Sequence, residues 1–236
     1  MEQKIKEEFK EDDNIILIIS LGRCGSTTLL RIINEIIPNT NICGENNFFM
    51  YNLIDFYINL KNTTIKRNIE FKECISVSNY NEIIQKNIKP AWYNSYDENE
   101  IINNLKLIIT KIFKKNENVK IWGFKEIRYF NNSLEKLKYF KELFPQTKFI
   151  ILLRENVLQH SISGWYKNKK NAFNTLIENN KNLIDFYRKN KDCSYLISLE
   201  KLFDEKYMYN LFKFINCEKY YNKEKIKYLL KITREK

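Results

Sequence analysis

Two rhythms of apolar and polar positions run along this chain. Residues 15–20, IILIIS, form an unbroken apolar run rich in β-branched residues, which predicts a buried strand of a parallel sheet. Gly22 to Thr28 then supply a small-residue turn. Over residues 27–37 the period changes: Leu29, Leu30, Ile33 and Ile37 fall on one helical face, and Pro38 and Asn39 stop the helix. The pattern predicts strands again at 119–124 (VKIWGF), 147–153 (TKFIILL) and 195–199 (YLISL). Helices are expected at 133–144, from about 156 to 167, and at 200–216. Residues 48–118 read as mostly helical, with a less regular stretch around 89–96. Strands alternating with helices predict an α/β fold, a three-layer domain with a central, mostly parallel β-sheet flanked by helices.

Length and composition bound this picture without changing it. The chain has 236 residues, enough for one α/β domain with a core, and residues 1–236 are read as a single domain. There are no internal repeats, no Pro/Gly/Ser-rich linker and only 5 glycines, so each glycine is informative. The five cysteines (Cys24, Cys43, Cys74, Cys193 and Cys217) form no CxxC pair. That argues against a disulfide framework or a zinc site and fits a reducing compartment. The first fourteen residues are charged throughout, unlike a signal peptide, and no apolar run approaches the ~20 residues of a membrane span. A cytoplasmic protein without membrane insertion is the expectation. Charge is uneven: residues 1–118 hold 15 Lys/Arg against 16 Asp/Glu, and residues 119–236 hold 25 against 13. A basic half suits a polyanionic ligand. No motif of interleaved basic and aromatic residues points to nucleic acid.

The chemistry concentrates where strands end. Between the first strand and its helix stands Gly22-Arg23-Cys24-Gly25-Ser26-Thr27-Thr28. Glycine lets backbone approach an anion, the free N–H groups of a helix N-terminus supply donors, and Arg23 adds a permanent planar charge. A nucleoside triphosphatase loop would carry Lys-Ser/Thr after its last glycine; here Ser26 follows Gly25 directly. A cysteine phosphatase would place Arg six residues after its Cys, and that position is Leu30. Cys24 therefore reads as a packing residue rather than a nucleophile. The strand TKFIILL runs into Arg154, followed by Glu-Asn-Val-Leu-Gln-His-Ser-Ile-Ser163. Arg154 offers a bidentate donor to phosphate, with Ser163 or its neighbour Ser161 as hydroxyl partner.

These segments resemble the donor-binding motifs of sulfotransferases. ISLGRCGSTTLLRIIN is similar to the 5′-phosphosulfate loop in the R-S-G-[ST]-T form of carbohydrate and tyrosylprotein members, and FPQTKFIILLRENVLQHSISGWYKN is similar to the 3′-phosphate segment. The resemblance implies that 3′-phosphoadenosine 5′-phosphosulfate (PAPS) is the donor and 3′-phosphoadenosine 5′-phosphate (PAP) the product, with no metal. It implies Arg23, Cys24, Gly25, Ser26, Thr27 and Thr28 around the 5′ end, and Arg154 and Ser163 on the 3′-phosphate. Cys43-Gly44-Glu45 resembles a C-G-E segment whose Glu is the base, which makes Glu45 the first choice for that role and Glu126 its rival. Lys125, in a G-F-K-E stretch also resembling the family, would act with Arg23 on developing charge. Tyr195 to Phe203 resembles a structural segment of the family. Residues 47–118 match nothing in it and are expected to form a mainly helical insertion on the acceptor side, with Trp92, Tyr93 and Tyr96 as a candidate acceptor wall. The expected acceptor is a carbohydrate hydroxyl first and a protein tyrosine second. Two other classes stay open: a nucleotide phosphotransferase with an atypical loop, and a non-catalytic module that binds an anionic ligand. His160, the single histidine, reads as packing or surface rather than catalysis, and Trp165 and Tyr166 read as core.

Overall fold

The computed structural model describes residues 13–70, 97–129 and 132–234. Five strands form one sheet: β1 (Asn14–Ser20), β2 (Thr40–Cys43), β3 (Ile121–Glu126), β4 (Lys148–Leu153) and β5 (Ser194–Ser198). Their order is β2-β3-β1-β4-β5, and every neighbouring pair is parallel. The α/β architecture predicted from the apolar runs is therefore the architecture observed. Central β1 is flanked on both sides and buried from Ile15 to Ser20. It has no solvent face, so it shows no alternation.

Helices α1 (Ser26–Ile36), α2 (Phe49–Glu70), α3 (Glu98–Phe113), α4 (Asn132–Glu135), α5 (Leu137–Leu143), α6 (Val157–Ser161), α7 (Ala172–Lys189), α8 (Glu205–Phe214) and α9 (Lys223–Arg234) flank the sheet. α1 buries Leu29, Ile32 and Ile33. Full burial of side chains of this size contributes about 1.5–3 kcal/mol each, so α1 and the loop before it are held firmly against the sheet. A cluster of edge-on and tilted rings, Phe124, Phe140, Phe144 and Trp122, fills the space under β3.

Several sequence expectations needed correction. The third strand lies two residues further on than predicted, ending at Glu126. Edge strand β2 went unread because only Ile42 of its four residues is buried. The helix expected at 133–144 is two short helices, and that expected at 200–216 is a 3₁₀ turn (Glu200–Phe203) followed by α8. The helix expected from 156 to 167 ends at Ser161. Ser163 is extended (φ −98°, ψ 139°), a 3₁₀ turn runs from Gly164 to Asn168, and Gly164 takes a left-handed φ of 54°. Helices α2 and α3 occupy much of 48–118, while Trp92, Tyr93 and Tyr96 lie outside the described residues.

Candidate active site

All five strands point the same way, so their C-terminal ends share one edge of the sheet. Connections diverge there: β1 leads through α1 to β2 on one side, and β4 leads to β5 on the other. Such a switch point leaves a crevice outside the strand ends, where ligands of open α/β sheets sit. The Gly22–Thr28 loop leaves β1 into this crevice, and Arg154 leaves its neighbour β4.

The loop is built to leave N–H groups free. Gly25 precedes α1 with φ 82° and ψ 13° and makes no side-chain cap. The first helical bond is donated by Leu29 to the Gly25 carbonyl, so the N–H groups of Ser26, Thr27 and Thr28 have no acceptor within the helix. The left-handed φ calls for glycine, and a Cβ on Gly25 would lie 2.6 Å from Leu199 Cδ1 and push that side chain aside. Arg23 is also left-handed (φ 66°), and its side chain lies against Gly164. Trp165 lies over Gly22, so close that a Cβ there would be 2.4 Å from the indole. Behind the loop His160, fully buried, places Nε2 2.7 Å from the Gly22 carbonyl oxygen. A carbonyl can only accept, so Nε2 carries a proton, and Nδ1 is buried with no acceptor for a second one, which favours the neutral ring. Burial lowers the His160 pKa below 6.5, in the same direction.

In front of the loop is a cleft of about 420 Å³. Arg23, Gly25, Ser26, Thr27, Thr28 and Arg154 line its polar side, and Leu199, Leu202, Phe203 and Leu230 line its apolar side. Two arginines and a helix N-terminus thus share one cavity with an apolar wall that sequence reading did not single out. Arg154 Nη1 donates to Ser163 Oγ at 3.3 Å, and Ser163 Oγ donates in turn to the His160 carbonyl at 2.7 Å. Ser161 is buried and donates to the Leu158 carbonyl. Of the two candidate serines, Ser163 is the one beside Arg154. Cys24 does not line the cleft; its thiol is fully buried, and desolvation pushes its pKa up to about 12, so it is protonated and inert.

A second cluster stands at the ends of β2 and β3. Lys125 Nζ is 2.6 Å from Glu45 Oε1, and Arg128 Nη1 bridges Glu45 Oε2 at 3.0 Å and Glu126 Oε1 at 2.7 Å. The two rival carboxylates differ in access. Glu126 is 0% exposed and accepts from the backbone N–H groups of Asn46 and Ile127. Glu45 keeps 32% of its side chain in solvent. Burial opposes the charge on Glu45, but the hydrogen bond from Lys125 and the nearby charges of Lys125 and Arg128 outweigh it and hold the carboxyl below 4.5. Asn47 and Phe48, just beyond, are both left-handed (φ 50° and 65°), backbone conformations that surrounding structure must enforce. Glu45 and Lys125 do not line the arginine cleft. They lie across β1 from β4, where Lys125 registers with Ile18. A pair between Glu126 and Arg128 was readable from their spacing, but the reach of Arg128 to Glu45 was not, because it depends on β2 and β3 ending side by side.

The fold and this edge define a parallel α/β protein whose first strand leads through an uncapped loop into α1, and among the described residues no grouping of His, Cys, Asp and Glu could hold a metal. No family model matches the chain, and no curated protein does. Among solved structures it is similar to a "Sulfotransferase Domain from the Curacin Biosynthetic Pathway", at 17% identity and TM-score 0.48 over 86% of this chain and 74% of that one. It is also similar to a "Sulfotransferase Domain from the Synechococcus PCC 7002 Olefin Synthase", at 18% and 0.48 over 88% and 74%. Neither likeness bears on the chemistry, which rests on the geometry above.

Proposed function

We propose that this protein is a sulfotransferase that moves the sulfuryl group of PAPS to an acceptor hydroxyl, a carbohydrate first and a protein tyrosine second. One observation carries the reading: Arg23, Arg154 and the open N-terminus of α1 line a single cleft whose other wall is apolar. A nucleotide with phosphates at both ends of its ribose needs two anion sites and an apolar wall for the base. The Ser26–Thr28 N–H groups and Arg23 take the 5′ end, Arg154 with Ser163 takes the 3′-phosphate, and the Leu199–Phe203 segment faces the base.

The donor supplies an activated sulfuryl group. The acceptor oxygen forms a bond to sulfur as the bond from sulfur to the bridging phosphate oxygen breaks, and PAP leaves. The acceptor proton goes to Glu45. Free, Glu45 is a weak base because Lys125 and Arg128 hold its charge. As it takes the proton it releases Lys125, whose ammonium is then free to meet the oxygen that PAP carries away. Proton uptake and stabilisation of the leaving group are coupled through one ion pair. Glu126 orients Arg128.

Incubation with radiolabelled donor and a panel of carbohydrate and tyrosine-peptide acceptors tests this. Label should pass to an acceptor without added metal. Magnesium-dependent ATP turnover instead would assign a phosphotransferase. Donor binding without turnover, unchanged in Glu45→Gln, would assign a binding module.

A further inference from the structure

Between Asn156 and Ile177 the chain has three lysines and no acidic residue, and it leaves large apolar side chains in solvent. Leu158 and Ile162 are each 66% exposed and Trp165 is 50% exposed. Phe173 and Ile177 repeat the four-residue spacing on α7, which packs against α6, and both are exposed. They are not displaced core, since α7 buries Ala172, Leu176, Leu183 and Phe186 on another face. Lys167, Lys169 and Lys170 are exposed and lie in the sequence between the two apolar pairs.

We propose that this face docks on an anionic lipid surface. Side chains such as Leu158, Ile162 and Phe173 enter the boundary between headgroups and acyl chains, Trp165 suits the headgroup level, and the lysines meet the negative surface potential. A protein partner fits less well, because lysine is depleted from protein–protein interfaces. Single-stranded nucleic acid fits less well, because Leu158, Ile162 and Ile177, three of the five apolar residues, are not aromatic platforms on which bases stack. Trp165 rests on Gly22 and Ile162 adjoins Ser163, so docking would bring the anion loop to the membrane surface. The inference goes beyond sulfuryl transfer and is tested apart from it, since vesicle binding requires neither donor nor acceptor.

Sedimentation with phosphatidylcholine vesicles, with and without phosphatidylserine, is the test. The protein should partition at least tenfold more strongly onto the phosphatidylserine vesicles, and added salt should weaken binding. Replacing Lys167, Lys169 and Lys170 together with Gln should reduce binding roughly hundredfold, and Leu158→Ser with Ile162→Ser about tenfold. Circular dichroism should be unchanged in both, as all five positions are exposed. Absence of sedimentation, or binding that both variants retain, overturns the proposal. So does a self-association abolished by the Leu158/Ile162 variant, or RNA binding abolished by the lysine variant, where vesicle binding is absent.

Discussion

Two ion-pair clusters sit at opposite ends of the same sheet, and they are built differently. At the N-terminal edge, Asp13 accepts from Lys114 Nζ at 2.6 Å and from Trp122 Nε1 at 3.1 Å, and all three side chains are buried. At the C-terminal edge, Lys125 and Glu126 are as deeply buried, but Glu45 and Arg128 reach solvent. A closed pair can only hold structure together. An open one retains a carboxylate that can exchange a proton with something arriving from outside. The difference teaches that position relative to the strand ends, rather than charge pairing itself, separates a sealed cluster from one whose carboxylate an arriving group can reach.

Breaking each cluster should therefore have opposite signatures. The largest effect is expected from Glu45→Gln, which should lower turnover by roughly 10²–10⁴-fold, with donor affinity and unfolding midpoint little changed. Lys114→Met should do the reverse, costing about 3–5 kcal/mol of stability by stranding the Asp13 charge, with activity per folded molecule preserved; urea titration beside an assay separates the two. If Lys114→Met lost activity but not stability, the comparison would collapse.

Arg128→Ala sharpens it. Without that guanidinium the Glu45 pKa should rise, since charge stabilisation is removed. A reaction that needs ionised Glu45 fades as pH falls through its pKa, so the acid limb of the rate profile should move to higher pH, and Arg128→Lys should restore part of the shift. A uniform drop in rate with no movement of the limb would mean that Arg128 only maintains structure.

The smallest effect concerns His160. Its folded pKa is depressed, so below 6.5 the unfolded chain takes the proton first. Stability should be full above that pH and decline below it, and with a single histidine in the chain the slope in this range is expected to flatten in His160→Gln. Equal slopes by chemical denaturation would remove the assignment of a neutral ring holding the Gly22 carbonyl.

What the sequence disclosed follows from where the hydrophobic signal is strong. β1, the loop after it, α1 and β4 were legible because buried β-branched runs and an amphipathic helix repeat without interruption. Edge strand β2 was not, because one buried side chain makes no pattern. Helices α7 and α9 passed unread despite apolar spacing such as Ala172, Leu176 and Leu183, diluted by the intervening polar residues. The end of α6 turns on one serine and a left-handed glycine, a local competition that periodicity does not register. Arg23, Arg154 and the loop meet as expected from parallel strand order. The Leu199–Phe203 wall and the link from Arg128 to Glu45 exist only in three dimensions.

The most direct measurement is calorimetric titration with PAP, for the wild type and for Arg154→Ala, alongside 5′-AMP. The account predicts micromolar binding, about −8 kcal/mol, that collapses in Arg154→Ala and is far weaker for 5′-AMP. Equal affinity for PAP and 5′-AMP, or PAP binding indifferent to Arg154, would contradict it.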